Sequence, residues 1–264
     1  MKKLITLTLI GLIGYTGWSQ EEQPADTTVI KLKNKQIIIK DIPLEDMEEP
    51  DKDDDKNKAD AHWAGLDIGV NTLVNASNKV AFDDARFLEI NPAKSWNWNL
   101  NFAEHRFSLF NEYIGITTGL GLNITNFTFK NNYIYNYTAD SITATMDTVI
   151  SYDKNKLRLT YLTVPLLLEF NSNKNSDKNF YLSAGVVAGV NVISKLKRQS
   201  DQEGYEVRFS EKGDYGVNPF KLDAMLRMGF SDWGLYASYN ILPVFDTDLT
   251  ETAHHASFGL TFSF

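Results

Sequence analysis

The chain has 264 residues, 34 acidic against 26 Lys and Arg, a net charge of −8 and no cysteine. Structural disulfides, thiolate metal sites and a Cys-anchored lipoprotein signal are excluded, and the acidic balance argues against nucleic acid as a partner. The length suits one large domain or two small ones.

The opening MKKLITLTLIGLIGYTGWSQ reads as a secretory signal. Lys2 and Lys3 precede an apolar run over residues 4–13 that is too short to cross a bilayer as a helix. Gly17-Trp18-Ser19 puts small residues where a signal peptidase reads, so cleavage is expected after Ser19, giving a signal peptide over 1–19. Beyond it, no apolar stretch approaches the ~20 residues of a spanning helix. VIKLKNKQIIIKDI holds two short β-like runs, 29–32 and 36–39, and suits a small hairpin. PLEDMEEPDKDDDKNKAD, residues 43–60, is dense in acid and has almost nothing to bury, so it is expected to be a disordered linker. Asp51, Asp53 and Asp55 have the spacing of the first three ligands of an EF-hand loop. However, Lys56 stands where glycine is needed and His62 where glutamate is needed, so the solvated linker is the better reading and no metal site is expected.

From Trp63 onward the period becomes 2, the mark of β-strands. In WAGLDIGVNTLV, Leu66, Ile68 and Val70 share one face, and Trp63, Gly65, Asp67, Gly69 and Asn71 the other. In SWNWNLNFAEHRF, Trp96, Trp98, Leu100 and Phe102 alternate with Asn97, Asn99 and Asn101, and parity carries His105 to the asparagine side. EYIGITTGLGLNITNF sets Ile114, Ile116, Leu120, Leu122 and Ile124 against Gly115, Thr117, Gly119, Gly121 and Asn123. KLRLTYLTVPLLLEF alternates less cleanly: Leu162, Val164, Leu166 and Leu168 share a face, and Pro165 opposite them signals an edge strand or a bulge. NFYLSAGVVAGVN, PFKLDAMLRMGF, DWGLYASYN and the closing HASFGLTFSF repeat the alternation. The last of these puts Phe258, Leu260, Phe262 and Phe264 on one face and Ser257, Gly259, Thr261 and Ser263 on the other.

The second row of each strand is rich in Gly, Ser, Thr and Asn, which a narrow barrel lumen tolerates. The apolar rows carry aromatics (Trp96, Trp98, Phe220, Phe230, Trp233, Tyr239, Phe264) in the manner of interfacial girdles. Connections alternate long and short: 75–95, 108–111, 125–156, 171–178, 194–218, 231–232, 241–254. An even-stranded barrel with both termini on the periplasmic side requires that order. The expected fold is all-β: an eight-stranded antiparallel up-and-down transmembrane β-barrel over 61–264, with a short N-terminal extension over 20–60. It is preferred to a lipocalin-like or sandwich fold. The expected location is a Gram-negative outer membrane, whose lipid covers the apolar rows while closure pairs the backbone.

The stretches DTTVIKLKNKQIIIK, HWAGLDIGVNTLV, TTGLGLNITNFTF, YLTVPLLLEF and DWGLYASYNILPVF resemble the outer-membrane β-barrel domain family of the Bacteroidetes, the broad PorT-like group. The resemblance covers the mature chain and implies the barrel fold. It does not carry a particular activity with it. Phe264, with Phe262, resembles the terminal signal that the barrel-assembly machinery reads in other small outer-membrane barrels.

Asp67, Glu169, Lys221, Asp223 and Arg227, with His105, are expected to point into the lumen and to pair across it, because an unpaired buried charge is very costly. Such a set could line a gated pore. At eight strands, however, side chains about fill the lumen, and a polar plug is the preferred reading. His254 or His255 with Ser257 and Glu251 could form a lipid-modifying site at the rim, but near neighbours on one strand make a poor base–nucleophile–orienter chain. No catalytic residue, cofactor or metal is therefore expected. Tyr133, Tyr135 and Tyr137 in the longest loop suit either an adhesive surface or a hairpin extending the barrel. The expected role is structural or interactive: anchoring loops, or serving as an accessory envelope component. A small transport pore and a rim enzyme are the alternatives. Expected partners are outer-membrane lipid, the assembly machinery during biogenesis and, for the accessory role, an envelope protein.

Overall fold

The computed structural model of the protein describes residues 27–32, 35–40, 59–110, 112–173, 179–202 and 205–264. The signal segment, the acidic stretch as far as residue 58 and the Asp51, Asp53, Asp55 triplet lie outside them. In chain order the strands are β1 Thr27–Leu32, β2 Lys35–Lys40, β3 Gly65–Asn75, β4 Trp96–Phe110, β5 Ile114–Thr128, β6 Tyr133–Tyr137 and β7 Ile142–Met146. They continue with β8 Lys154–Asn171, β9 Phe180–Gln202, β10 Tyr205–Lys212, β11 Phe220–Phe230, β12 Trp233–Asn240 and β13 Ala253–Ser263.

β1 and β2 form a separate antiparallel hairpin in register from Thr27↔Lys40 to Leu32↔Lys35, where the sequence suggests one. The main sheet closes on itself. β3, β4, β5, β8, β9, β11, β12 and β13 pair in a ring of eight, all neighbours antiparallel, and β13 meets β3 from Ser263↔Gly65 to Ala253↔Asn75. Closure leaves no unpaired edge in that ring, as a bilayer demands.

Alternation fixes which face looks out. Along β3, Gly65, Asp67, Gly69 and Asn71 are buried while Val70 is exposed. Along β8, Thr163, Leu167 and Glu169 are buried while Leu162, Val164, Leu166 and Leu168 are exposed. The outer wall is therefore Leu, Val, Ile and aromatic. Trp96, Trp98, Phe220, Phe230, Trp233 and Phe264 are exposed on it, as a lipid-facing surface with aromatic margins requires. β11 has 11 residues. At ~3.3 Å per residue and a tilt of about 45°, a strand of that length rises ~25 Å, the height of an outer-membrane apolar band.

The long and short connections segregate to opposite ends, as the spacing implies. Ser231-Asp232 joins β11 to β12, whereas β5 and β8 are separated by a segment holding the β6–β7 hairpin. β8 and β9 continue past the apolar wall at the long-loop end, where β10 adds to β9 from Lys212↔Lys195 to Tyr205↔Gln202. There the long loops enclose an apolar core. Leu73, Phe82, Leu88, Phe127, Leu157, Leu159, Leu196 and Phe245 are buried together in it. At ~1.5–3 kcal/mol for each large apolar side chain buried, this cap is a substantial source of stability. Tyr135 is inside this core and its hydroxyl donates to the Tyr215 carbonyl at 2.7 Å, so the middle tyrosine of the loop serves packing rather than an exposed surface. Its buried hydroxyl is also held protonated to well above the usual tyrosine range, burial being the main cause.

Two expectations need correction. Pro165 is neither on an edge nor at a bulge. It sits mid-strand, with β8 paired to β9 at Pro165↔Val187, while the β5 ladder lapses between Thr118↔Leu166 and Gly121↔Thr163. The Thr118 hydroxyl donates to the Pro165 carbonyl across that lapse at 2.9 Å. The register shift in β8–β9 falls elsewhere, beside Thr160 and Tyr161. His105 is the second correction. Asn101 pairs with Gly121 and Ala103 with Leu120, so Phe102 is an extra residue in β4. One inserted residue reverses the facing of everything after it. His105 therefore lies exposed on the outer wall, edge-on to Phe107 at 4.5 Å, and Glu104 and Arg106 turn inward in its place.

Candidate functional site

The remaining five expected lumen charges, Asp67, Glu169, Lys221, Asp223 and Arg227, are all buried. Four belong to one connected chain of polar contacts. Arg227 Nη2 lies 3.1 Å from Asp67 Oδ1, and both side chains are 0% exposed. The other oxygen, Asp67 Oδ2, accepts from Asn99 at 3.1 Å and from Asn101 at 3.3 Å. Asn123 Nδ2 donates to Asn99 at 2.6 Å and to Asn97 at 2.8 Å. Asn123 Oδ1 in turn accepts from Lys221 Nζ at 2.9 Å, and Lys221 pairs with Asp223 at 2.8 Å. Asn99 of β4 and Asn123 of β5 thus link two buried ion pairs that share no direct contact. Tyr236 joins the same set, accepting from Asn97 at 3.1 Å and lying 3.0 Å from Ser257. It can reach across because Gly69 leaves room: a Cβ there would stand 2.5 Å from the Tyr236 hydroxyl.

Glu169 anchors a second cluster near the short-turn end. Its carboxylate accepts from Thr117 at 3.1 Å, Ser183 at 3.2 Å, Asn171 at 3.0 Å and the His62 backbone N–H at 3.3 Å, and His62 Nδ1 lies 3.1 Å away. The His62 ring stacks on Tyr181 with centroids 4.1 Å apart. His62, a failed calcium position on the linker reading, is a lumen residue.

It arrives there on a strap. Residues 59–64 fold into the barrel before β3 begins. Glu104 holds the strap by accepting from the backbone N–H groups of Trp63 at 2.9 Å and Ala64 at 2.7 Å. Arg106 donates to the Ala59 carbonyl at 3.4 Å and pairs with Glu112 at 3.1 Å. The Trp63 indole is 1% exposed and packs with Leu167, Val187, Met225 and Tyr236. Its Nε1 donates to the Leu120 carbonyl at 3.3 Å, and the Arg227 guanidinium lies 5.2 Å from the ring centre. Parity with Asp67 already places Trp63 on the inner row. The role of Glu104 and Arg106 is hidden behind the bulge at Phe102, which leaves no mark in the alternation.

The rim residues do not assemble into a catalytic chain. His255 faces inward against Phe127, with ring centres 5.4 Å apart. His254 faces the other way, its Nδ1 3.0 Å from the Asn240 carbonyl. Ser257 donates to the Val70 carbonyl at 3.2 Å, and Glu251 accepts from the backbone of Asp84 and Ala85, each at 3.2 Å. Among the described residues no three His, Asp or Glu side chains converge as a metal site would need. In β13, Phe262 packs edge-on to Trp233 at 4.4 Å and Phe264 is exposed on the outer wall.

No curated protein and no solved structure gives a match to the chain. The family model described as the outer membrane protein beta-barrel domain matches residues 51–248. That span takes in all of β3 to β12, so the closed ring, its apolar wall and its polar interior are those of a protein of the outer membrane, and the chain belongs to the outer membrane protein beta-barrel domain family.

Proposed function

We propose that the protein is a closed, non-conducting barrel with a structural or interaction role: an anchor for the long loops at one end of the ring. The observation that carries this reading is the filled lumen. Trp63, the Arg227–Asp67 pair, the asparagine ladder and the Lys221–Asp223 pair are all buried inside the ring, and the long loops enclose an apolar core at one end. Paired charges, and amides hydrogen-bonded to one another from Asn97 and Asn99 to Asn123, favour a fixed plug over a hydrated path. The same filling weakens the pore alternative, and the separated rim groups weaken the enzyme alternative. A place in the PorT-like group of the Bacteroidetes, as an accessory envelope component, is consistent with the strap and hairpin that precede the barrel. Its partner would be an envelope protein.

The test is conductance. The full chain in planar bilayers is expected to pass no steady current above the lipid baseline. Discrete channel openings would sink the anchor reading in favour of a pore. Mild cross-linking in the native membrane should retrieve a stoichiometric envelope protein, and repeated recovery of the barrel alone would remove the accessory role. For biogenesis we assign Phe264 and Phe262 to recognition by the assembly machinery. Phe264→Ser should lower the amount of folded, heat-modifiable protein in the outer membrane several-fold. It should leave the unfolding midpoint of the purified protein unchanged, because the side chain is exposed and has no packing to lose. An equal drop in the midpoint would make Phe264 a stability residue instead.

A further inference from the structure

The outer face of the barrel changes character abruptly where β8 and β9 leave the apolar wall. On β8 the outward row runs Leu168, Leu166, Val164, Leu162 and then, past Thr160, Arg158, Lys156 and Lys154. On β9 it runs through Val190, Val192 and Ile193 to Lys195 and Lys197. The two strands are in register here, so like charges stand opposite each other: Arg158↔Lys195 and Lys156↔Lys197. β10 adds Lys212 beside Lys195 and Arg208 beside Gln199. Directly opposed like charges in a sheet are destabilising, and here they recur over two levels of a net acidic protein.

Acidic side chains come only at the margin of this face, where Glu206 stands opposite Asp201. Among the described residues, Arg208 alone of the group has an ion pair, with Glu206, at the far margin of the sheet. Lys154 reaches only Gln199, at 3.1 Å, and Arg158 only Asn126, at 2.9 Å. The ammonium of Lys197 is held below the usual lysine range first by Arg158, then by burial, Lys195 and Lys154. That of Lys156 is lowered by burial first and then by the same kind of neighbours, Arg158, Lys197 and Lys154. A cleft of ≈ 430 Å³ opens on the patch, lined by Lys154, Lys156, Lys197 and Arg208 among others.

We propose that this face is a docking surface for the phosphate-bearing headgroups of outer-leaflet lipid. The commitment to lipid, over a soluble anion, comes from continuity. The cations share one outward face with the lipid-facing leucines and valines and begin one outward residue, Thr160, beyond Leu162 on β8 and immediately beyond Ile193 on β9. An acyl chain lying along Leu162 and Val190 therefore places its headgroup at Arg158 and Lys195. Phosphate between opposed cations of neighbouring strands converts a repulsive pair into a bridged one, with Arg158 able to donate two bonds and the lysines acting as point charges. Basic clusters at a membrane surface recognise anionic lipid through such arrangements.

The experiment is amine acetylation of the full chain in vesicles, mapped residue by residue by mass spectrometry. In phosphatidylcholine vesicles containing diphosphoryl lipid A, acetylation of Lys156, Lys195 and Lys197 is expected to slow about fivefold or more against phosphatidylcholine alone. Lys130, which lies on another loop beside Glu89, should react at an unchanged rate. Vesicles containing fully dephosphorylated lipid A should give no protection. The double variant Lys156→Gln/Lys197→Gln should retain diphosphoryl lipid A more weakly by about fivefold for each cation removed. Lys156→Arg/Lys197→Arg should retain it as the parent does. The wild-type acetylation pattern stands as a test even if a variant folds poorly. Three results would overturn the proposal: no protection by diphosphoryl lipid A, equal protection by the dephosphorylated lipid, or equal protection by tripolyphosphate in solution over phosphatidylcholine vesicles. The last would make the face a site for soluble polyanions.

Discussion

Replacing Arg227 with methionine is expected to lower the stability of the barrel by about 3–5 kcal/mol, the penalty for stranding one member of a buried ion pair. Arg227 and Asp67 are both fully buried, with Nη2 and Oδ1 3.1 Å apart. Arg227 also donates to Thr261 and, at 3.4 Å, to the Trp63 carbonyl, so its loss frees acceptors on two further elements. Asp67→Asn alone should be harmful in the opposite sense, because it leaves the guanidinium charged without a counter-charge. The informative variant is the double one. Asp67→Asn/Arg227→Met removes both charges and keeps an acceptor for Asn99 and Asn101, so it should recover more than half of the single-variant loss. Urea unfolding in lipid vesicles, read by the gel shift of the heat-modifiable band, measures all three. If the two single losses simply add in the double variant, the pair is not coupled and the plug is not organised around it.

Most of this architecture is legible in the sequence because a spanning barrel imposes one rule on every strand: apolar outward, small or polar inward, period 2. Asp67, Lys221, Asp223 and Arg227 can be placed inside by that rule alone. The rule fails in three places, each for a physical reason. The extra Phe102 in β4 reverses parity without disturbing the hydrophobic pattern, since both Phe102 and Ala103 face outward. His105 is thereby misplaced, and Glu104 and Arg106 are overlooked. KLRLTYLTVPLLLEF is hard to read because its hydrophobicity inverts along its length. Leu162 to Leu168 are apolar outward toward lipid, while Leu157 and Leu159 are apolar inward toward the cap, with Arg158 and Lys156 outward. A strand that leaves the membrane exchanges one solvent for another, and no single face is apolar throughout. The strap over 59–64 is hidden because residues 59–62 lie between the acidic stretch and the alternation that begins at Trp63, with no period of their own. Its contacts with Glu104, Glu169 and Arg106 join residues 40 to 107 apart in sequence.

Trp63→Ala is expected to destabilise the barrel by about 3–5 kcal/mol, as truncation of a fully buried aromatic does. The indole is 1% exposed and fills the space between Leu167, Val187, Met225 and Tyr236, so its removal leaves a cavity lined by groups with little freedom to collapse in a closed sheet. The strap itself should stay, since Glu104 and Glu169 hold it through backbone N–H groups that alanine retains. Conductance separates a plug from a gate. The Lys221–Asp223 pair, the asparagine ladder and the apolar cap lie beyond Trp63 and remain in place, so the variant is expected to be less stable and still closed. Trp63→Phe should restore part of the stability, because a phenyl ring refills most of the volume and loses only the bond to the Leu120 carbonyl. A steady current through Trp63→Ala would instead make this residue the sole barrier, and the strap a gate rather than part of a plug.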